Sequence, residues 1–226
     1  MHTYKTIIFD LDGTLFKTDT VFIDAIYQVC ISSEEEIQFI RKELRTIEDK
    51  LINVSAQLYE DVKNMLDNLK KEGYILCICT NGSNHYVNNI LKTFGISNYF
   101  TIIKSRREGL TKGQLIKQIL DESACCSAIV VGDTAIDFKS ADDTSCLSIG
   151  VSYGYGGNAY KNVDFIADKP VDIYNIIKKI NGFYQDIAMQ ILDRKQKNMP
   201  LVVGINGVDT SGKTTFTKEF DRYLSN

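Results

Sequence analysis

Thr6-Ile7-Ile8-Phe9-Asp10-Leu11-Asp12-Gly13-Thr14 is the stretch on which the fold turns. A short run of β-branched and apolar residues leads directly into two carboxylates and a glycine, the pattern of a strand that ends in a turn. Side chains of an extended chain alternate between faces, so Asp10 and Asp12 emerge together while Leu11 turns away. Two acids at the carboxyl end of a strand offer the hard oxygen donors that Mg2+ takes.

The same pattern recurs downstream. The run Tyr74-Ile75-Leu76-Cys77-Ile78-Cys79 ends at Thr80-Asn81-Gly82, and Ala128-Ile129-Val130-Val131 ends at Gly132-Asp133. Shorter strand patterns fall at Thr101–Ile103, Cys146–Val151 and Asp164–Ile166. Between them lie helical spacings: Val62, Met65, Leu66 and Leu69 up to a stop at Gly73; Tyr86 to Phe94; Thr111 to Leu120, beginning near Lys112; Asp137 to Asp142; and a helix opened by Pro170 and Asp172 that runs to about Ile180. This alternation predicts an α/β fold built on a doubly wound parallel sheet. Ligands of such sheets collect beyond the carboxyl ends of the strands. Three of those ends carry polar chemistry: Asp10 with Asp12, Thr80 with Asn81, and Asp133 with Asp137.

One segment breaks the alternation. Asp19 to Ile31 has helical spacing. Ser33 followed by Glu36 forms a capping-box pattern, and Ile37, Ile40, Leu44, Ile47 and Leu51 continue it at helical spacing. The division that follows is a core of residues 1–15 and 60–182, a small all-helical insert at 16–59, a mixed-charge linker helix at 183–199, and a strand-loop-helix at 200–226.

Bulk properties exclude several classes. Net charge is −3, so there is no basic footprint for nucleic acid. No apolar stretch approaches the roughly 20 residues of a membrane span, and no signal-peptide core is present, which predicts a cytoplasmic protein with no membrane partner. The six cysteines include no C-x-x-C pair and there are two histidines, so a zinc site is poorly supported and the thiols are expected to be reduced and mostly buried. His85 is expected to be a surface or capping residue.

Taken in order, Asp10-Leu11-Asp12-Gly13-Thr14, Thr80-Asn81-Gly82, Lys112 before a helix, and Val131-Gly132-Asp133-Thr134-Ala135-Ile136-Asp137 resemble the motifs of the haloacid dehalogenase-like superfamily, in its phosphoglycolate-phosphatase-like branch. The stretch Gly150-Val151-Ser152-Tyr153-Gly154-Tyr155-Gly156 also looks like that branch. The resemblance covers about residues 4–180. It implies a phosphatase acting on a small phosphorylated metabolite, with Mg2+ as cofactor. Asp10 would be the nucleophile, Asp12 the general acid and base, and Thr80, Asn81 and Lys112 the groups that hold the phosphoryl oxygens. Asp10, Asp133 and the Asp12 carbonyl would ligate the metal, and Asp137 would hold Lys112 or a metal-bound water. Lys104 is a rival for the role of Lys112. The insert occupies the position of the family's helical cap and is short for one, about 45 residues, which leaves specificity open.

Gly207-Val208-Asp209-Thr210-Ser211-Gly212-Lys213-Thr214 matches G-x-x-x-x-G-K-[ST] after an expected strand, Leu201 to Ile205. It resembles the opening of a uridine-kinase-like P-loop kinase. In that family Gly207, Gly212, Lys213 and Thr214 would bind the phosphates of an NTP. The chain lacks the on the order of 150 further residues that a kinase needs. The alternatives to a simple phosphatase are therefore the N-terminal part of a phosphatase–nucleoside kinase fusion, or a non-catalytic phosphate-binding module.

Overall fold

A computed structural model of the chain describes residues 4–17, 52, 57–194, 203–205, 216–217 and 220–221. In chain order the elements are β1 (Thr6–Phe9), β2 (Phe16–Lys17), β3 (Gln57–Leu58), α1 (Val62–Lys71), β4 (Ile75–Cys79), α2 (Asn84–Thr93), β5 (Phe100–Lys104), α3 (Lys112–Glu122), β6 (Ile129–Gly132), α4 (Ala135–Asp143), β7 (Leu147–Val151), β8 (Phe165–Ala167) and α5 (Pro170–Asp193). Six strands form one sheet in the order β5-β4-β1-β6-β7-β8, and every pairing in it is parallel. The chain winds outward from β1 to one edge, then returns to the other side of β1. The strand order reverses at β1, so a crevice opens above its carboxyl end.

Alternation along the strands explains why both faces are covered. Ile7, Phe9, Leu76, Ile78, Ile129 and Val131 point into one hydrophobic layer, which they share with α1, α2 and α5. Ile8, Cys77, Cys79 and Val130 point into the other, against Leu115, Ile116 and Ile119 of α3 and Ala141 of α4. Each large side chain buried in this way contributes about 1.5–3 kcal/mol. Burial also pushes the thiols of Cys77 and Cys79 up to about 12. Neither therefore offers a thiolate near neutral pH. In a thiol-labelling experiment on the native protein, exposed Cys126 is expected to react while Cys77 and Cys79 stay unmodified until the chain is unfolded, a pattern that peptide mapping would read directly.

Three expectations need correction. The insert is not helical at its ends: β2 and β3 form a two-residue antiparallel ribbon, pairing Phe16 with Leu58 and Lys17 with Gln57. Strands this short show no alternation, and their pairing is non-local. Helices expected within 19–51 lie outside the described residues, apart from Ile52, which is helical and buried. The expected end of a helix near Ile180, with a separate linker helix after it, is replaced by one continuous helix through Asp193. Gly182 costs such a helix about 1 kcal/mol. The buried stripe Ile173, Ile177, Ile180, Tyr184 and Ala188 carries across it and offsets that cost. Finally, Val203–Ile205 is exposed and not in a strand. No described strand pairs with it, and an extended segment without a ladder partner has nothing to hold it in a sheet. The chain beyond returns to the core through Phe216 and Phe220, whose rings stack on Tyr184.

Candidate active site

Asp10 follows β1 directly, and its backbone N–H donates to the Val131 carbonyl of β6 at 2.8 Å. This bond extends the central ladder by one residue and places the carboxylate at the mouth of the crevice. Lys112 is the first residue of α3. Thr111 caps that helix, its hydroxyl accepting from the Gln114 N–H at 3.2 Å while the Gln114 side chain accepts from the Thr111 N–H at 2.8 Å. The capping box fixes where the helix starts and so where Lys112 points. Its ammonium lies 2.5 Å from Asp10 Oδ1 and 2.5 Å from Asp137 Oδ1. Asp137 is held in turn from its other oxygen, which accepts from the Thr134 N–H at 2.9 Å and the Thr134 hydroxyl at 2.7 Å.

Asp133 ends β6. Its Oδ2 accepts from the backbone N–H groups of Tyr155 and Gly156 at 2.7 and 3.0 Å. Its Oδ1 is buried and has no hydrogen-bond partner among the described residues. Carboxylate oxygens of Asp10, Asp133 and Asp137 lie within 4.8 Å of one another. Exposure is 7% for Asp10, 1% for Asp133, 0% for Asp137 and 6% for Lys112, so three carboxylates and one ammonium, paired with two of them, lie almost out of water. Burial raises the Asp10 carboxyl well above the usual range; the Lys112 ammonium opposes this, and the Asp137 charge adds to it. Burial also raises Asp133, against the two backbone donors. For Lys112 burial works to lower the value, yet Asp10 and Asp137 together hold it above its ordinary one.

The donors are oxygens only, one buried carboxylate oxygen lacks a partner, and the cluster carries two excess negative charges. These properties fit a hard divalent cation. Gly13 is required by the same packing. It has φ of +77°, and a Cβ there would lie 2.2 Å from Asp133 Oδ2.

Other expected site residues are arranged around this cluster. Thr80 follows β4, beside β1, and is 1% exposed. Its backbone N–H donates to the Lys104 carbonyl at 3.0 Å, and its hydroxyl oxygen accepts from the Gly82 N–H at 3.1 Å, which leaves the O–H proton to donate elsewhere. Asn81 and His85 are exposed. Asp12 is half-buried, and its Oδ1 accepts from the Tyr86 hydroxyl at 2.5 Å. Of the two lysines weighed, Lys104 forms an ion pair with Glu122, at the end of α3 away from Lys112. The P-loop residues Gly207, Gly212, Lys213 and Thr214 lie outside the described residues.

Sequence reasoning missed the amides of Tyr155 and Gly156, Thr134, Tyr86, and the tyrosine pair Tyr59 and Tyr153. Tyr59 donates to the Tyr153 carbonyl at 3.2 Å, and Tyr153 donates to the Thr14 carbonyl at 3.0 Å. The glycines of 150–156 were the visible signal for the amides, since a backbone that closely approaches a carboxylate leaves no room for side chains.

The architecture is that of a doubly wound α/β protein with an acidic site at the carboxyl edge of its sheet. Residues 23–151 match the family model described as haloacid dehalogenase-like hydrolase, and the chain belongs to that family. A phosphoglycolate phosphatase of Pasteurella multocida is 30% identical over 145 residues, 58% of this chain and 61% of that one. The chain thus spans about 61% of the length of the first curated relatives it matches. Pyrophosphatase PpaX of Bacillus mycoides is 25% identical over 216 residues, covering 79% of this chain and 99% of that one. Among solved structures, CbbY of Rhodobacter sphaeroides in complex with phosphate has a TM-score of 0.64 at 16% identity, covering 76% of this chain and 96% of that one; it bears on the fold alone. Among the described residues, no helix is long and apolar enough to cross a membrane.

Proposed function

We propose that the chain is a Mg2+-dependent phosphomonoesterase that acts on a small organic phosphate through an aspartyl-phosphate on Asp10. The observation that carries this reading is the convergence of Asp10, Asp133, Asp137 and Lys112 from two strand ends and two helix starts. Relatives named as phosphoglycolate phosphatases support a small phosphorylated metabolite as substrate, with a phosphorylated hydroxy acid, a nucleoside monophosphate and a sugar phosphate as the classes to compare.

A carboxylate oxygen of Asp10 attacks phosphorus, forming an O–P bond as the bond from phosphorus to the ester oxygen breaks. Asp12 gives its proton to that leaving oxygen. Water then attacks phosphorus, Asp12 takes the water's proton, and the bond to Asp10 breaks, returning its carboxylate. Lys112, the Thr80 hydroxyl and the Asn81 N–H hold the equatorial oxygens, where charge gathers in the transition state. Asp137 keeps Lys112 in place, and the Tyr155 and Gly156 amides keep Asp133 in place. Asp10, Asp133 and the Asp12 carbonyl would hold Mg2+, with Asp137 nearby, and the ion supplies the positive charge that lets a phosphate dianion approach a carboxylate.

The test is phosphate release from a panel of phosphoglycolate, nucleoside monophosphates, sugar phosphates and p-nitrophenyl phosphate. Turnover of at least one is expected with Mg2+, with loss in EDTA and recovery on adding Mg2+ back. No release from any of them would overturn the reading. Binding is read separately by melting. At about 100 times its Kd, Mg2+ stabilises by about 2.7 kcal/mol, a rise in Tm on the order of 5–10 °C for a chain of this size. Asp133→Asn is expected to lose that rise.

A further inference from the structure

We infer that Tyr86 is a positioning residue for Asp12, which fixes the orientation in which that carboxylate exchanges its proton. The inference rests on the role proposed above for Asp12. Tyr86 belongs to the first turn of α2, 74 residues from Asp12 in sequence, and its hydroxyl donates to Asp12 Oδ1 at 2.5 Å. The bond joins the turn after β1 to the helix after β4, the two neighbouring strand ends that carry Asp10 and Thr80.

The tyrosine is itself held at three places. Its backbone N–H donates to the Ser83 hydroxyl, the cap of α2, at 3.2 Å. Its side chain is 8% exposed and joins the larger hydrophobic layer. Its ring also lies against Gly82: a Cβ at that position would be 2.9 Å from Tyr86 Cδ1. The glycine of Thr80-Asn81-Gly82 therefore makes room for the ring, so the turn that presents Thr80 also seats the tyrosine.

A half-buried carboxylate beside a second carboxylate rotates easily about its side-chain torsions. A proton donor must instead keep one oxygen aimed at the ester oxygen of the substrate. Anchoring Oδ1 to a rigid phenol sets the direction of the other oxygen. The phenol ring supplies this anchor with few rotatable bonds, and its hydroxyl can donate to Oδ1 whether or not the other oxygen carries the proton. A ring that only filled space would not need its hydroxyl directed at a carboxylate.

The test compares two substrates by kcat/KM, which reports only steps through phosphoryl transfer to Asp10. One is an alkyl phosphate from the panel, whose leaving oxygen must be protonated. The other is p-nitrophenyl phosphate, whose phenolate leaves without a proton. Tyr86→Phe keeps the ring and removes the hydroxyl. It is expected to lower kcat/KM about tenfold on the alkyl ester, and less than twofold on the nitrophenyl ester. Equal losses on both esters for Tyr86→Phe, or none on either, would overturn the inference. Asp12→Asn separates this outcome from failure of the underlying reading. If it is selective for the alkyl ester and Tyr86→Phe is not, only the role of Tyr86 falls. If Asp12→Asn lowers both esters equally, the proton-transfer role of Asp12 falls and the inference falls with it.

Discussion

Asp10→Asn is expected to lower kcat/KM on the best panel substrate by at least ~10^4-fold, a loss of ~5 kcal/mol in transition-state stabilisation. A neutral amide is a far weaker nucleophile than a carboxylate, and Asp133 and Asp137 are each fixed in their own places by donors to one oxygen. The stability effect should run the other way. The folded-state value of Asp10 is raised above its unfolded one, chiefly by burial, and Asp137 and Asp12 add to this against Lys112. A group shifted in that direction stabilises fully below its unfolded pKa, and its contribution is lost as pH rises through the folded value. At neutral pH the charged carboxylate therefore weighs against the fold. Removing the charge still leaves Lys112 paired with Asp137. Metal-free Asp10→Asn should melt at or above the temperature of the metal-free parent. A lower Tm together with retained turnover would reject the assignment of Asp10.

Lys112→Met is the second large effect, and here activity and stability fall together. The ammonium is shared by two carboxylates at 2.5 Å each, all three side chains being nearly inaccessible. Removing one member of a buried ion cluster costs about 3–5 kcal/mol, because the charges left behind have neither water nor a partner. For a chain of this length that is a fall in Tm on the order of 10 °C in the absence of metal. The double variant Lys112→Met with Asp10→Asn should recover part of the loss, since one stranded carboxylate is gone. Phosphate release should drop by at least ~100-fold in the single variant, because the charge on the transferring group loses a preorganised cation. A Tm within a degree or so of the parent would show that Lys112 is not the counter-charge to Asp10 and Asp137.

Much of this was legible in the chain itself, and the parts that were not share a physical cause. The strands beginning at Thr6, Ile75, Ile129 and Leu147 are short, bounded apolar runs, and the carboxyl ends of the first three displayed Asp10, Thr80 and Asp133 in order. The register of a parallel sheet then carries these ends to one edge. Two lysines competed for one role because sequence does not show which cation pairs where; Lys104 meets Glu122, and Lys112 meets Asp10 and Asp137. Tyr86 was hidden because a tyrosine on the apolar stripe of a helix reads as core, and its hydroxyl acts over 74 residues. Gly182 suggested a helix end because local propensity was weighed without Tyr4 and the aromatic rings that pack along α5. The uridine-kinase-like motif was plain as a pattern, but a pattern alone does not supply the sheet around it.

The ribbon of Phe16–Lys17 with Gln57–Leu58 has a consequence for descent. It stitches the departure and return of residues 18–56 onto adjacent rungs, and the Tyr59 N–H donates to the Leu15 carbonyl at 3.2 Å just behind them. The clustered carboxylates of Asp10, Asp133 and Asp137 belong to the sheet side of that stitch. A lineage can therefore exchange the cassette between Lys17 and Gln57 for any polypeptide whose own ends meet. Such an exchange would leave the clustered carboxylates of Asp10, Asp133 and Asp137 in place.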